Sequence, residues 1–310
     1  MGASRTAISS VTIMICTYQR PEMLARCLSS AATMNRVDGV DLCFAVVDNN
    51  PESQYDAYIK DMLAVLPFPT SYRHVEKRGY SSARNGAIEL ALETPSDVFA
   101  FMDDDQLFTP EWLSGLVKSY HELQCDGILG PITGDPKARR HGEVLSSAGM
   151  GNFSFKRDFV SAEGLGLRFD PAYDLLGYED RAFSEAAFSK GRVARYSRYA
   201  VVVDGDREAG SLEDLRNKAA VAAVAARNKV VALRKQGKFL QLTGALLAGC
   251  HCGLKSMGLG IRSEICRLSD QRDKYERLRI ERWKEGNKML GSFVGLTQDF
   301  VPRQDVRRGR

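Results

Sequence analysis

Short apolar runs alternate with amphipathic stretches through the first 130 residues, with clear punctuation between them. Residues 11–16 predict a strand, and Thr17-Tyr18-Gln19-Arg20-Pro21 turns into a helix through about residue 32. Pro21 sits in the first turn, where its missing N–H costs nothing. A second strand over 42–47 ends at Asp48-Asn49-Asn50-Pro51 and is followed by a helix to about residue 65; a weaker strand covers 71–75. After Gly79, a Ser81/Ser82 cap predicts a helix through residue 92. Residues 98–102 form the fourth strand, 110–123 the next helix and 127–130 a short strand. Strand–helix units with apolar strands predict a parallel sheet covered on both faces. Ligands on such sheets gather at the carboxyl ends of strands, where Thr17, Asp48 and Asp103 all fall.

The pattern then changes. Residues 131–170 are rich in glycine and charge, without lasting period, and read as irregular or hairpin structure. A helix is expected over 177–190, opening with Tyr178-Glu179-Asp180, and 192–196 and 199–203 have strand character. Long helical stretches follow at 212–235, 239–257 and 263–289, so the division expected is a catalytic domain of residues 1–210 and a helical extension of 211–310. The apolar stretch 239–261 is broken by Gln241, Thr243, His251, Lys255 and five glycines. It suits an interfacial or packed helix better than a membrane span.

Composition narrows the class. With 44% hydrophobic residues the chain can bury a real core. Seven scattered cysteines do not make a disulfide framework, and Cys250-His251-Cys252 has no second pair at a zinc-ligand spacing. No secretory leader is read at the start, and the short match of Met1-Gly2 to a myristoylation pattern is discounted as chance. The net charge of +4 hides an asymmetry: residues 211–310 hold 21 Lys/Arg against 10 Asp/Glu. That basic segment suits an anionic membrane surface, with a solvated helical face as the plainer reading. Trp283, amid Arg279, Arg282 and Lys284, fits a lipid interface or simple packing equally. No nucleic-acid partner is expected.

The chemistry concentrates where the fourth strand delivers Asp103-Asp104-Asp105. Three adjacent carboxylates after a buried strand repel one another, and a bound divalent cation relieves them. Oxygen-only ligands favour Mg²⁺ or Mn²⁺, which would clamp a diphosphate. Arg84, early in a helix, carries paired donors that suit phosphate. Thr17 and Asp48, on neighbouring strand ends, can read a pyrimidine edge and ribose. Asp180, beside Glu179, is a candidate general base, a carboxylate to take the proton of an attacking hydroxyl. A haloacid-dehalogenase-type phosphatase would place its carboxylates on the opening strand, and a nucleotidyltransferase needs a glycine-rich loop after strand one; this chain has neither.

These motifs together resemble the inverting family 2 glycosyltransferases of GT-A fold, in their bacterial exopolysaccharide, succinoglycan-type branch. The elements are Cys16-Thr17-Tyr18-Gln19-Arg20-Pro21, Val46-Val47-Asp48-Asn49, Gly79-Tyr80-Ser81-Ser82-Ala83-Arg84-Asn85, Phe101-Met102-Asp103-Asp104-Asp105, Gly151-Asn152 and Gly177-Tyr178-Glu179-Asp180. They run over about two thirds of the chain. The resemblance implies an α/β nucleotide-sugar-binding fold with a mostly parallel central sheet. It places Thr17, Tyr18, Arg20, Asp48, Arg84, Asp103 and Asp104 at the nucleotide sugar and Asp105 with Asp103 at Mn²⁺ or Mg²⁺. Asp48 would contact uracil, Asp180 would be the base, and Glu179 and Asn152 would contact the acceptor or support the site. A UDP-sugar donor (UDP-glucose as the guess), a saccharide or polyprenyl-linked acceptor, and a cytoplasmic location at the inner membrane face follow from the same likeness. A sugar-nucleotide-binding scaffold without turnover is the alternative. Two departures stand out. Relatives often carry a His where this chain reads Val203-Asp204-Gly205-Asp206-Arg207, so Asp204 or Asp206 would have to substitute, and Arg181-Ala182-Phe183 stands where a further acid is common.

Overall fold

A computed structural model describes residues 8–133, 139–175, 177 and 179–205. The chain divides into two compact units, residues 1–175 with 179–207, and residues 176–178 with 208–310. The description that follows is of the first. The extension expected over 211–310, with its membrane-docking features and Trp283, lies outside the described residues, as do Tyr178 and Asp206.

The strand–helix alternation is present: β1 (Ser10–Thr17), α1 (Pro21–Ala31), β2 (Asp41–Asp48), α2 (Asp56–Ala64), β3 (Thr70–His74), α3 (Tyr80–Leu92) and β4 (Val98–Asp103). After these come β5 (Gln106–Phe108), α4 (Trp112–Leu123), β6 (Gly127–Leu129), β7 (Ile132–Thr133), β8 (Phe153–Lys156), α5 (Glu179–Ser189), β9 (Ala194–Tyr196) and β10 (Val202–Asp204). Seven strands form one sheet in the order β3-β2-β1-β4-β8-β6-β9, and β5-β10-β7 form a second, smaller one. Within the large sheet every pairing is parallel except those of β8, which runs antiparallel to both β4 and β6.

Pleat alternation sends successive strand residues to opposite faces. Val11, Ile13 and Ile15 of β1 join Phe44, Val46, Ala100 and Met102 under α1, α2 and α4. Met14, Val47, Phe99 and Phe101 meet α3 and α5 on the other face. Helix α1 buries Leu24, Cys27, Leu28 and Ala31 at helical spacing. The second face is aromatic: Phe99, Phe153, Phe155, Phe159 and Phe169 are each at most 1% exposed. Burying each is worth roughly 1.5–3 kcal/mol.

Three expectations need correction. The stretch 131–170, read as irregular or hairpin structure, supplies β8, which pairs antiparallel with β6 and stands in the middle of the sheet; Asn152 enters it with φ of 60°. Ser81 and Ser82 do not cap α3. The Asp174 carboxylate does, accepting from the Ser82 N–H at 2.6 Å and its hydroxyl at 2.8 Å, while Ser81 donates to the carbonyl of Asp170. The strand expected over 199–203 forms later, as β10, and belongs to the small sheet. Trp112 packs α4 on the sheet as read, at 1% exposure, and also donates to the Asn152 side chain.

Candidate active site

The carboxyl ends of β1, β2 and β4 lie side by side: Thr17 pairs with Asp48, and Cys16 with Asp103. The chain leaves the large sheet at Asp103 and enters the small one at Gln106, so the acidic triad sits in the turn between two sheets. Alternation divides the three carboxylates. Asp103 follows Phe99 and Phe101 onto the α3/α5 face, whereas Asp104 turns toward β1, where the Thr17 hydroxyl donates to its Oδ2 at 2.7 Å. Arg20, half exposed, stands 3.4 Å from Asp104 and 3.5 Å from Asp105, one cation facing two buried acids. Burial pushes the Asp104 carboxyl up to about 6; Thr17 and Arg20 pull it back, and its two acidic neighbours push it further.

Asp48 is fully buried. Its Oδ1 accepts from the Asn50 N–H at 3.0 Å and the Asn50 side-chain amide at 2.5 Å, which also gives the turn reading of Asp48-Asn49-Asn50 its due. Its buried Oδ2 has no hydrogen-bond partner among the described residues. Burial raises its proton affinity, against the bonds from Asn50. Asn49 reaches across to donate to the carbonyls of Val75 and Lys77 and to accept from the Gly79 N–H, and His74 Nε2 meets the Asn50 carbonyl at 2.7 Å. The Arg78 guanidinium stands 4.8 Å over the Tyr18 ring. Asn49 and Asn50 entered the sequence reading only as turn and motif residues, and His74 and Arg78 not at all; the signal for the latter two was their place at a strand end and beside Gly79.

Residues 148–151 bring the two catalytic candidates together. A methyl group on Gly149 would lie 3.3 Å from Asp180 Oδ2, and one on Gly151 would lie 2.7 Å from Asp103 Oδ2. Two glycines, two residues apart, therefore each face one of the carboxylates. Helix α5 is docked on the same stretch through Ser184, whose hydroxyl accepts from the Ala148 N–H at 2.9 Å and donates to its carbonyl at 3.1 Å. Asp180 Oδ1 itself accepts from the Arg181 N–H at 2.6 Å.

Arg84, expected at a diphosphate, closes on Glu179. Its side chain is 14% exposed and that of Glu179 is 6% exposed. Burial disfavours the guanidinium charge, but Glu179, Asp180 and Asp103 more than offset this and raise its proton affinity. Burial likewise raises that of Glu179, helped by Asp180 and opposed by Arg84. Asn152 is held within the fold. It accepts from Trp112 and donates to the carbonyls of Pro131 and Ala200, leaving its amide N–H groups occupied within the protein. Asp204 pairs with Gln106 across β10 and β5, and the Gly205 N–H donates to the Asp105 carbonyl, so the segment lacking the family's histidine does run beside the triad.

The donor set suits a divalent ion. Asp103 and Asp105 offer only oxygen, and Gly151 leaves room at Asp103 Oδ2 that a side chain would fill. Among the described residues no group of three or more His, Cys, Asp or Glu is placed to hold a metal alone. Mg²⁺ commonly takes one or two carboxylates and completes its shell with substrate phosphates.

Comparison with known proteins gives the site its context. The chain is 29% identical over 203 residues to the succinoglycan biosynthesis protein ExoM of Rhizobium meliloti (strain 1021), covering 60% of this chain and 64% of that protein. It thus spans somewhat less than two thirds of that relative's length. Among solved structures, the mannosyltransferase PcManGT from Pyrobaculum calidifontis, in complex with GDP-Man and Mn²⁺, superposes with a TM-score of 0.60 at 15% identity, over 92% of this chain and 89% of that one. S. aureus TarS 1–349, in complex with UDP-GlcNAc, gives a TM-score of 0.51 at 14% identity over 90% of each chain. These likenesses establish the GT-A fold. The family model described as Glycosyl transferase family 2 matches residues 12–171, just over half of the sequence, and the chain belongs to that family.

Proposed function

We propose that this family 2 glycosyltransferase moves a sugar from a UDP-sugar to a saccharide acceptor, with inversion at the anomeric carbon. One observation carries the reading: Asp103, at the end of β4, and Asp180, at the start of α5, lie against two glycines of the same short segment. A carboxylate triad facing a diphosphate and a second carboxylate facing an acceptor hydroxyl are what an inverting transfer requires. Asp48 supports the nucleotide end. Its buried, unpartnered oxygen suits an incoming N–H such as the imide of uracil. Tyr18, just past the end of β1, offers a ring with Arg78 above it.

In the proposed reaction the acceptor oxygen attacks the anomeric carbon as Asp180 takes its proton. The bond from that carbon to the diphosphate breaks, and UDP leaves. A divalent ion held by Asp103 and Asp105, when bound, would supply charge neutralisation at the departing diphosphate. Arg20 keeps Asp104 and Asp105 from repelling one another, and Thr17 holds Asp104 turned away from Asp103.

A role in polysaccharide assembly is supported by the likeness to the Rhizobium meliloti protein, named for succinoglycan biosynthesis; UDP-glucose as donor and a polyprenyl-diphosphate-linked saccharide as acceptor complete the proposal. The basic composition of residues 211–310 supports peripheral docking at the inner membrane face. UDP release, measured across UDP- and dTDP-sugars with and without acceptors, tests the activity. Tight UDP binding without release from any donor would favour a sugar-nucleotide-binding scaffold. Co-sedimentation with anionic and neutral liposomes tests docking, and equal, negligible binding to both would reject it.

A further inference from the structure

Helix α3 is stitched to the chain that leads into the base-bearing helix. Asn85 exchanges two 2.8 Å hydrogen bonds with the backbone of Phe169. Ser81 donates to the Asp170 carbonyl, and Ser82 donates twice to the Asp174 carboxylate. Arg84 completes this series. Its guanidinium stands 6.0 Å and 5.6 Å from the ring centroids of Phe101 and Phe169, and its charge is met by Glu179. Glu179 and Asp180 are the first two residues of α5, so a group that holds the first also places the second. Two adjacent acids at a helix start repel one another. A cation on Glu179 removes that repulsion and leaves Asp180 to turn toward Gly149.

We propose that Arg84 is a positioning residue: through Glu179 it fixes the first turn of α5, and with it Asp180, and does not serve as a ligand of the donor diphosphate. This rests on the reading of Asp180 as the base. Nη1 of this largely buried guanidinium is committed to Glu179, whose carboxylate meets its charge. Its replacement therefore acts on the chemical step and not on donor affinity.

The test uses the full chain, with UDP and Mn²⁺ as the binding probe and kcat measured on the best UDP-sugar. Arg84→Met and Glu179→Gln should each lower kcat by about 10²-fold, the cost of a base misplaced by an ångström, with the Kd for UDP unchanged. The double variant should lose no more than either single one, because both act through one pair. It also removes both buried charges together, so it tests the idea even where a lone charge spoils folding. Arg84→Lys, which keeps the charge, should fall between Arg84→Met and the native protein. Weaker UDP binding in Arg84→Met but not in Glu179→Gln, or losses that multiply in the double variant, would overturn the proposal. A native chain that binds UDP yet releases none from any donor removes the base reading and this proposal with it; native turnover leaves the Arg84 result to be judged alone.

Discussion

Gly151 packs so closely on Asp103 that an alanine methyl would come within 2.7 Å of the carboxylate Oδ2 and 3.0 Å of the Gln106 side-chain amide. Both are ends of side chains, so a methyl there would push the Asp103 carboxylate and the Gln106 amide from their present positions. Gly151→Ala is therefore expected to cut turnover by about tenfold or more, equivalent to about 1.4 kcal/mol, and to weaken Mn²⁺-assisted UDP binding. A variant with native turnover would show that the Asp103 carboxylate is free to move without consequence.

Asp180→Asn preserves shape but cannot accept the acceptor's proton. Loss of a general base costs about 10²–10⁴-fold, so transfer should nearly vanish while UDP binds as before. Transfer within a few-fold of the native rate would remove Asp180 from the chemistry.

Asp105→Asn should abolish most activity, and Mn²⁺, expected to tighten UDP binding by the native chain, should not do so for the variant. Titrating Mn²⁺ against UDP binding in both proteins measures this. Turnover that persists unchanged in EDTA, in native and variant alike, would sink the metal role.

Asp174 joins the loop before α3 and that helix's first turn to the segment before α5. Burial raises its proton affinity, but the ion pair with Lys77 at 2.8 Å and the two bonds from Ser82 win, and its carboxyl lies below the usual range. A group depressed in the folded state stabilises the fold above its unfolded value, about 3.9, and loses that contribution as pH falls through the folded value. Asp174→Asn should therefore cost about 1 kcal/mol near neutral pH, the scale of a lost helix cap, and cost less at pH 3. Urea denaturation of both proteins at the two pH values checks this; an equal difference at both would mean that the charge is irrelevant.

The strand ends that build the site were legible because apolar runs flanked by Thr17, Asp48 and Asp103 can be buried in only one way, and the register of β1 with β2 and β4 brings those residues together. Adjacent charge also led to the proposal of metal chemistry at Asp103, which the Asp105 variant tests. β8 was hidden, since Phe-Ser-Phe-Lys is too short to announce a strand and becomes one only between β4 and β6. The two serines after Gly79 looked like a local cap, but the cap comes from Asp174, 92 residues further along the chain.

The sequence by itself determined which residues could be buried, where the helices begin after the first two strands, and which carboxylates would stand at strand ends, because these depend on neighbours a few positions apart. Tertiary structure alone decided how the charges are matched. The place of Arg84 in α3 pointed to a phosphate, and only the fold shows that it also meets Glu179, 95 residues away. Three adjacent aspartates could have acted alike, yet Thr17 takes one and Gly151 makes room for another. A buried charge takes the partner that folding brings within reach, and spacing along the chain carries no record of that distance.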